Sequence, residues 1–347
     1  MIYIPKFRDI FLTAPCMSRA AGWFKFVGHK VDAHGQLDGR SRVIADWFPN
    51  LITDAGLNRL GTKALYTCIE TCEVGSGNTP PAVSDTNLVS KVARNNSIQA
   101  GTTRGKVIVG SPPTIPITEI HDWVLRIYRF NAGVAAGTLA EVCVRETSAA
   151  GNVMYSRALI LDANTGLPTT ITVLPDEVLD VHYRHRLYFD LADHPYSFVI
   201  SGVSYGGTAR LADYGGQNST NNNSLNTEYW CPATLSDTYY YNNKCYNGAI
   251  QGIHQEPSGT SLYIVPNNSY IVDGVYSSGT LKNNVTFNIG LNDANFTAGQ
   301  GGGWTAMKIA YLYGWTQFSI SPKIPKDATK VMTLNVEYGP WGRYTPP

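Results

Sequence analysis

The chain has 347 residues, enough for one large or two ordinary domains, each with a proper core. Only 15% of them are charged, against about a quarter in typical soluble domains, and a net charge of +1 leaves no electrostatic footprint for gripping a nucleic-acid backbone. No run approaches the ~18 apolar residues of a membrane-spanning helix, and the N-terminal MIYIPKFRDIFLTAPCM breaks its apolar residues with charges and prolines, unlike a signal peptide. The expectation is a protein made in the cytoplasm, with no membrane insertion and no nucleic-acid partner.

In chain order, residues 20 to 46 predict a hairpin, with Trp23, Phe24 and Phe26 before a turn near His34-Gly35 and a return through Arg42, Val43 and Ile44. One short helix is predicted near residues 53–61. Thr53 is its N-cap, Ile52 staples onto Leu57, and Gly61 should end it in the left-handed conformation, with Leu57, Leu60 and Ala64 on one face. Such a helix would plug one end of a β-structure. Gly75 to Asp85 (GSGNTPPAVSD) lacks the Gly-Lys-Ser/Thr ending of a phosphate-binding loop and reads as a stiffened surface connection.

From Thr103 the pattern is strands alone: Lys106 to Val109, Trp123 to Phe130, Leu139 to Val144, Met154 to Leu161, Thr169 to Leu174 and Val178 to Leu191, continued by Tyr196 to Tyr205. Within the last long strand Val181, Tyr183, Leu187 and Phe189 alternate with His182, Arg184, Arg186 and Tyr188, the period of a strand with one buried face, and His185 falls on the inward side. Residues 215 to 224 are Asn-rich and polar, an exposed loop followed by an aromatic concentration at Tyr229, Trp230, Tyr239, Tyr240 and Tyr241. Strands resume at Ser261 to Val265, Tyr270 to Tyr276, Val285 to Leu291, Ala306 to Phe318 and Lys330 to Tyr338. In the last, Met332, Leu334, Val336 and Tyr338 share one face. The fold class expected is mainly β: antiparallel β-sandwich or jelly-roll units with one short helix. Residues 1–100 read as an N-terminal arm, helix and connecting loop leading into the first unit. Residues 101–205 read as a β-sandwich-like unit, and 206–347 as a second β-rich unit with Asn/Tyr-rich loops.

No constellation carries catalysis or a cofactor. His182 and His185 lie on opposite faces of a strand and cannot chelate one ion, and no His-x-x-x-His or His-Glu-x-x-His helix occurs. Gly202-Val203-Ser204-Tyr205-Gly206 has the letters of a nucleophile elbow without the parallel strand and helix that the elbow needs. Asp176-Glu177 is a turn pair, read as solvated. Arg126/Arg129 and Arg184/Arg186 are the best basic positions, the latter pair outward on a strand where solvated charges are normal. The six cysteines show no Cys-x-x-Cys pair and read as free thiols, with Cys231 and Cys245 able to bridge only in an oxidising medium. The aromatic group at Tyr229, Trp230 and Tyr239 to Tyr241 suits a subunit interface, or alternatively glycan contact.

Four segments carry a family likeness. They are LAEVCVRETSAAGNVMYSRALILDANTGLPTTITVLPDEVLDVHYRHRLYF (139–189), WFPNLITDAGLNRLG (47–61), CEVGSGNTPPAVSDTNL (72–88) and ATKVMTLNVEYGPWGRY (328–344). Together they resemble virion structural proteins of tailed bacteriophages, the tail, collar and tail-fibre-associated group. The resemblance implies a non-enzymatic, homo-oligomeric virion component, assembled in the host cytoplasm, whose partners are its own copies and other tail proteins. A receptor-binding protein recognising host surface glycan is the alternative, and a glycan hydrolase a lesser one.

Overall fold

The computed structural model describes residues 6–15, 18–63, 65–99, 103–111, 114–147, 152–212, 243–253, 255–264, 271–273, 276–311 and 314–344. The fold is mainly β, as the strand periodicity predicts, in largely antiparallel sheets with one curled half-barrel, and the helices among the described residues are short. At its centre the strand Glu177–Phe189 is hydrogen-bonded to Ser18–Val31 on one side and to Ile115–Phe130 on the other. Thr103–Ser111 extends this sheet at one edge, and Leu37–Pro49 and Gly342–Arg343 pair with Ser18–Val31 at the other.

The alternation in Glu177–Phe189 is realised: Val181, Tyr183, His185 and Leu187 are buried, while His182, Arg184 and Arg186 are half-buried on the other face. Tyr188 departs from it. It keeps the outward phase but is buried, because the Tyr344 ring stacks on it at 3.7 Å. Leu187 is 1% exposed, so Leu187→Ala is expected to destabilise by about 2–5 kcal/mol through lost burial and a residual cavity. Arg186→Ala should cost no more than the ~1 kcal/mol of a stacked cation. Denaturant unfolding of both variants checks this, and equal small losses would contradict the strand phase.

Among the described residues two pairs of strands are parallel, and both involve strands near the two ends of the chain. Lys6–Pro15 lies beside Val331–Gly339, and Gly342–Arg343 beside Arg19–Ala20. In Val331–Gly339 the residues Met332, Leu334, Val336 and Tyr338 are all buried, as their spacing predicts. Two predicted strands are instead hairpin arms. Tyr196 to Tyr205 divides into His194–Ile200 and Val203–Ala212 around Ser201-Gly202, both with positive φ, and Ala306 to Phe318 divides into the paired strands Trp304–Tyr311 and Gly314–Ile324.

A further sheet runs in the order Leu51–Ile52, Met154–Leu159, Glu141–Arg145, Thr71–Gly75, Lys91–Asn95, so strands from before and after residue 100 share it. The helix Asp54–Leu60 packs on this sheet. Thr53 caps it, its Oγ1 accepting from the Gly56 amide at 2.9 Å and donating to the Met154 carbonyl at 2.6 Å. Gly56 is needed because a Cβ there would lie 2.4 Å from the Tyr155 carbonyl oxygen. The expected left-handed end is not found: Gly61 has φ −64°, and the chain turns on into the short helical segment Leu65–Cys68. Glycine is required at 61 for space rather than for handedness, since a Cβ would meet the Tyr276 ring at 2.4 Å. Ala64 lies outside the described residues.

Candidate binding face

The outward face of the central sheet gathers three tryptophans and two arginines that are far apart in sequence. Strand pairing sets Lys25 opposite His182, Trp23 opposite Arg184, and Trp123 opposite Arg186. Trp47 joins them because Phe48 is buried opposite Phe24, and strand alternation puts its neighbour Trp47 on the outward face. Gly105 on the edge strand makes room for Trp123, whose ring lies 2.9 Å from where a Cβ would be.

The side chains interleave. The Arg184 guanidinium carbon sits 4.3 Å from the centre of the Trp47 ring and 5.6 Å from that of Trp123, and Arg186 sits 4.6 Å from Trp23. Arg186 Nη1 also donates to the Tyr188 hydroxyl at 3.0 Å, and the His182 ring meets Trp47 edge-on at 6.3 Å. All three tryptophans and both arginines are half-buried. Among the described residues neither arginine has a carboxylate partner, and the Nε of each is sealed from solvent with no acceptor. The neighbouring cations differ: Lys25 holds Asp46 at 3.0 Å, and Arg129 holds Asp180 at 2.6 Å. Burial, and then the adjacent Arg186 charge, lowers the pKa of Arg184, and burial likewise lowers that of His182.

The expectation of freely solvated charges at Arg184 and Arg186 is therefore corrected, since indole rings lie against both guanidinium groups and each Nε is sealed from solvent. Arg126 and Arg129 do not form a basic face either. Arg126 is buried and donates to the Tyr66 and Ile69 carbonyls at 2.9 Å, while Arg129 points outward to Asp180. The predicted contact residues Tyr229, Trp230, Tyr239, Tyr240 and Tyr241 lie outside the described residues, as does Cys231. Cys245 carries a free, buried thiol whose Sγ donates to the Leu262 carbonyl.

The pair Asp176-Glu177 is also corrected. Asp176 is exposed and holds Lys30, but Glu177 is buried, bound by Arg42 through both carboxylate oxygens at 2.9 Å and by the Leu174 amide at 2.9 Å. The Arg42 hydrogen bonds hold its pKa down at about 2. A depressed carboxylate pKa contributes stability that is complete above the unfolded value and is lost as pH falls through the folded one. Unfolding midpoints should therefore fall between about pH 4.5 and pH 2, and Glu177→Gln should flatten that part of the profile.

Ser204 lies in an antiparallel strand opposite Val199, without the elbow geometry of a nucleophile. His185 is buried with Nε2 2.8 Å from the Tyr155 hydroxyl, and His121 pairs with Glu119. Among the described residues no three His, Cys, Asp or Glu side chains are placed to hold a metal ion, and no helix is long and apolar enough to cross a membrane.

The loop after Thr71–Gly75 is clamped by buried charge. Glu141 accepts from the backbone amides of Gly77, Val89 and Ser90, and Arg157 binds Glu141, Asp85 and the Thr79 carbonyl. The C-terminal segment reaches the same region. Trp341 Nε1 donates to the Leu57 carbonyl at 2.9 Å, and Arg343 binds the Ile52 carbonyl and Asp54. The four segments that carry the family likeness thus touch one another around the helix. No family model, curated protein or solved structure matches the chain.

Proposed function

We propose that the chain is a non-enzymatic structural protein of a tailed-phage virion, a homo-oligomeric part of the tail, collar or fibre-attachment region. The observation that carries a contact role is the tryptophan–arginine face. Trp and Arg are the residues that dominate the energetics of protein contacts, and here they occupy the half-buried centre of a broad sheet rather than its core. The virion context comes from the sequence resemblance alone.

The test is Trp47→Ala in phage, with particle yield and host adsorption measured on the same variant. Incorporation into particles should fall at least tenfold, the effect of a buried aromatic anchor, while surviving particles adsorb normally. Normal incorporation with impaired adsorption would favour the receptor-binding alternative, and no change in either would remove this face from function.

A further inference from the structure

We infer that the tryptophan–arginine face binds a carboxylate-bearing segment of a different protein, with Arg184 and Arg186 as donors; this rests on reading the face as a virion contact. Arg184 and Arg186 stand two residues apart on one face of one strand, their backbones about 7 Å apart along it, with no counter-ion among the described residues. Like charges held together in a half-buried site repel, and an oxyanion between them removes that cost.

The stacking decides the class of ligand. Trp47 and Trp123 lie against the Arg184 guanidinium and Trp23 against that of Arg186, and both Nε groups are sealed from solvent, so the terminal Nη groups not used by Tyr188 are the chemistry that remains. A guanidinium edge matches a carboxylate, which it binds through parallel hydrogen bonds. A sugar ring would have to stack on indole surface that the guanidinium groups already occupy.

The chain's own copies are a poor source of the acid. Around the face, Asp46 is held by Lys25, Asp180 by Arg129 and His29, and Glu119 by His121. A two-fold contact through this face would set unpaired guanidinium groups against their own copies, and an isologous interface must be self-complementary.

The experiment titrates the full chain with a deca-glutamate peptide and, separately, with a galacturonate decamer of equal charge, at several salt concentrations, following tryptophan fluorescence. Arg184→Gln/Arg186→Gln, Arg184→Lys/Arg186→Lys and the control Arg40→Gln are compared after thermal melts establish folding. The peptide should bind and perturb the emission. The glutamine pair should weaken it at least tenfold, the lysine pair should lie between, and the control should match wild type. Tighter binding of the galacturonate, no binding of the peptide, or an unchanged affinity in the glutamine pair would each overturn the proposal.

The same variants in phage separate this inference from the reading beneath it. If the glutamine pair loses the peptide but enters particles normally, the acidic site stands and the virion-contact reading of the face falls. If incorporation is lost while wild type never binds the peptide, the contact stands and the acidic partner is overturned.

Discussion

Replacing Arg157 by methionine is expected to destabilise the protein by about 3–5 kcal/mol, the cost of breaking a buried ion pair from one side. Glu141 is 0% and Arg157 1% exposed, and Arg157 gives Glu141 two hydrogen bonds, of 3.0 and 2.8 Å. Methionine fills much of the volume but leaves a buried carboxylate held only by three backbone amides, with no positive charge beside it. It also releases the 76–90 loop from the Asp85 and Thr79 tethers, of 2.7 and 2.8 Å. The double variant Arg157→Met/Glu141→Gln should recover part of the loss, because it removes the stranded charge as well as its partner. Denaturant unfolding gives the energies, and hydrogen exchange at Gly77, Val89 and Ser90 shows whether the loop opens first. A loss below about 1 kcal/mol for the single variant would mean that the pair is no more than a surface bridge.

Trp341→Ala should cost about 3–5 kcal/mol from lost burial alone, and more because the Leu57 carbonyl loses its donor. Leu57 supplies one of the last four carbonyls of Asp54–Leu60, which have no partner within the helix. The Gly61 amide turns instead to Asn58, so the indole N–H of Trp341 completes the helix end. Its ring is 1% exposed and lies 5.5 Å from that of Tyr276, which in turn packs over Gly61. Trp341→Phe keeps most of the apolar contact and removes the donor, so its loss should be about 1–3 kcal/mol. Equal losses for Phe and Ala would show that the hydrogen bond, not the ring, dominates. Losses near zero for both would show that the C-terminal segment does not brace the helix.

The strands were legible because a half-buried strand writes its phase into the chain. Val181, Tyr183 and Leu187 against His182, Arg184 and Arg186 give the buried face directly, and so do Met332, Leu334, Val336 and Tyr338. The Thr53 cap was legible because it acts within three residues. Gly61 was misread because its reason is a contact with Tyr276, more than two hundred positions away. Glu177 was misread because a turn position says nothing about Arg42 arriving from another strand.

The candidate face shows the same division. Its arginines could be placed outward from the sequence, and Trp23 could be seen as part of a hairpin. Nothing local says that Trp47 and Trp123 flank Arg184, because that depends on which strands are neighbours and in what register.

The sequence by itself therefore determined the β class, the buried face of two long strands, the short helix and its N-cap, all set by backbone propensity and periodicity over a few residues. Only the tertiary structure decided the parallel pairing of the chain ends, the burial of Glu141, Arg157 and Glu177, and the stacking of two arginines on three tryptophans. Those features are cross-strand contacts, and register between distant strands is chosen by the energy of the whole packed sheet, which no short window of sequence contains.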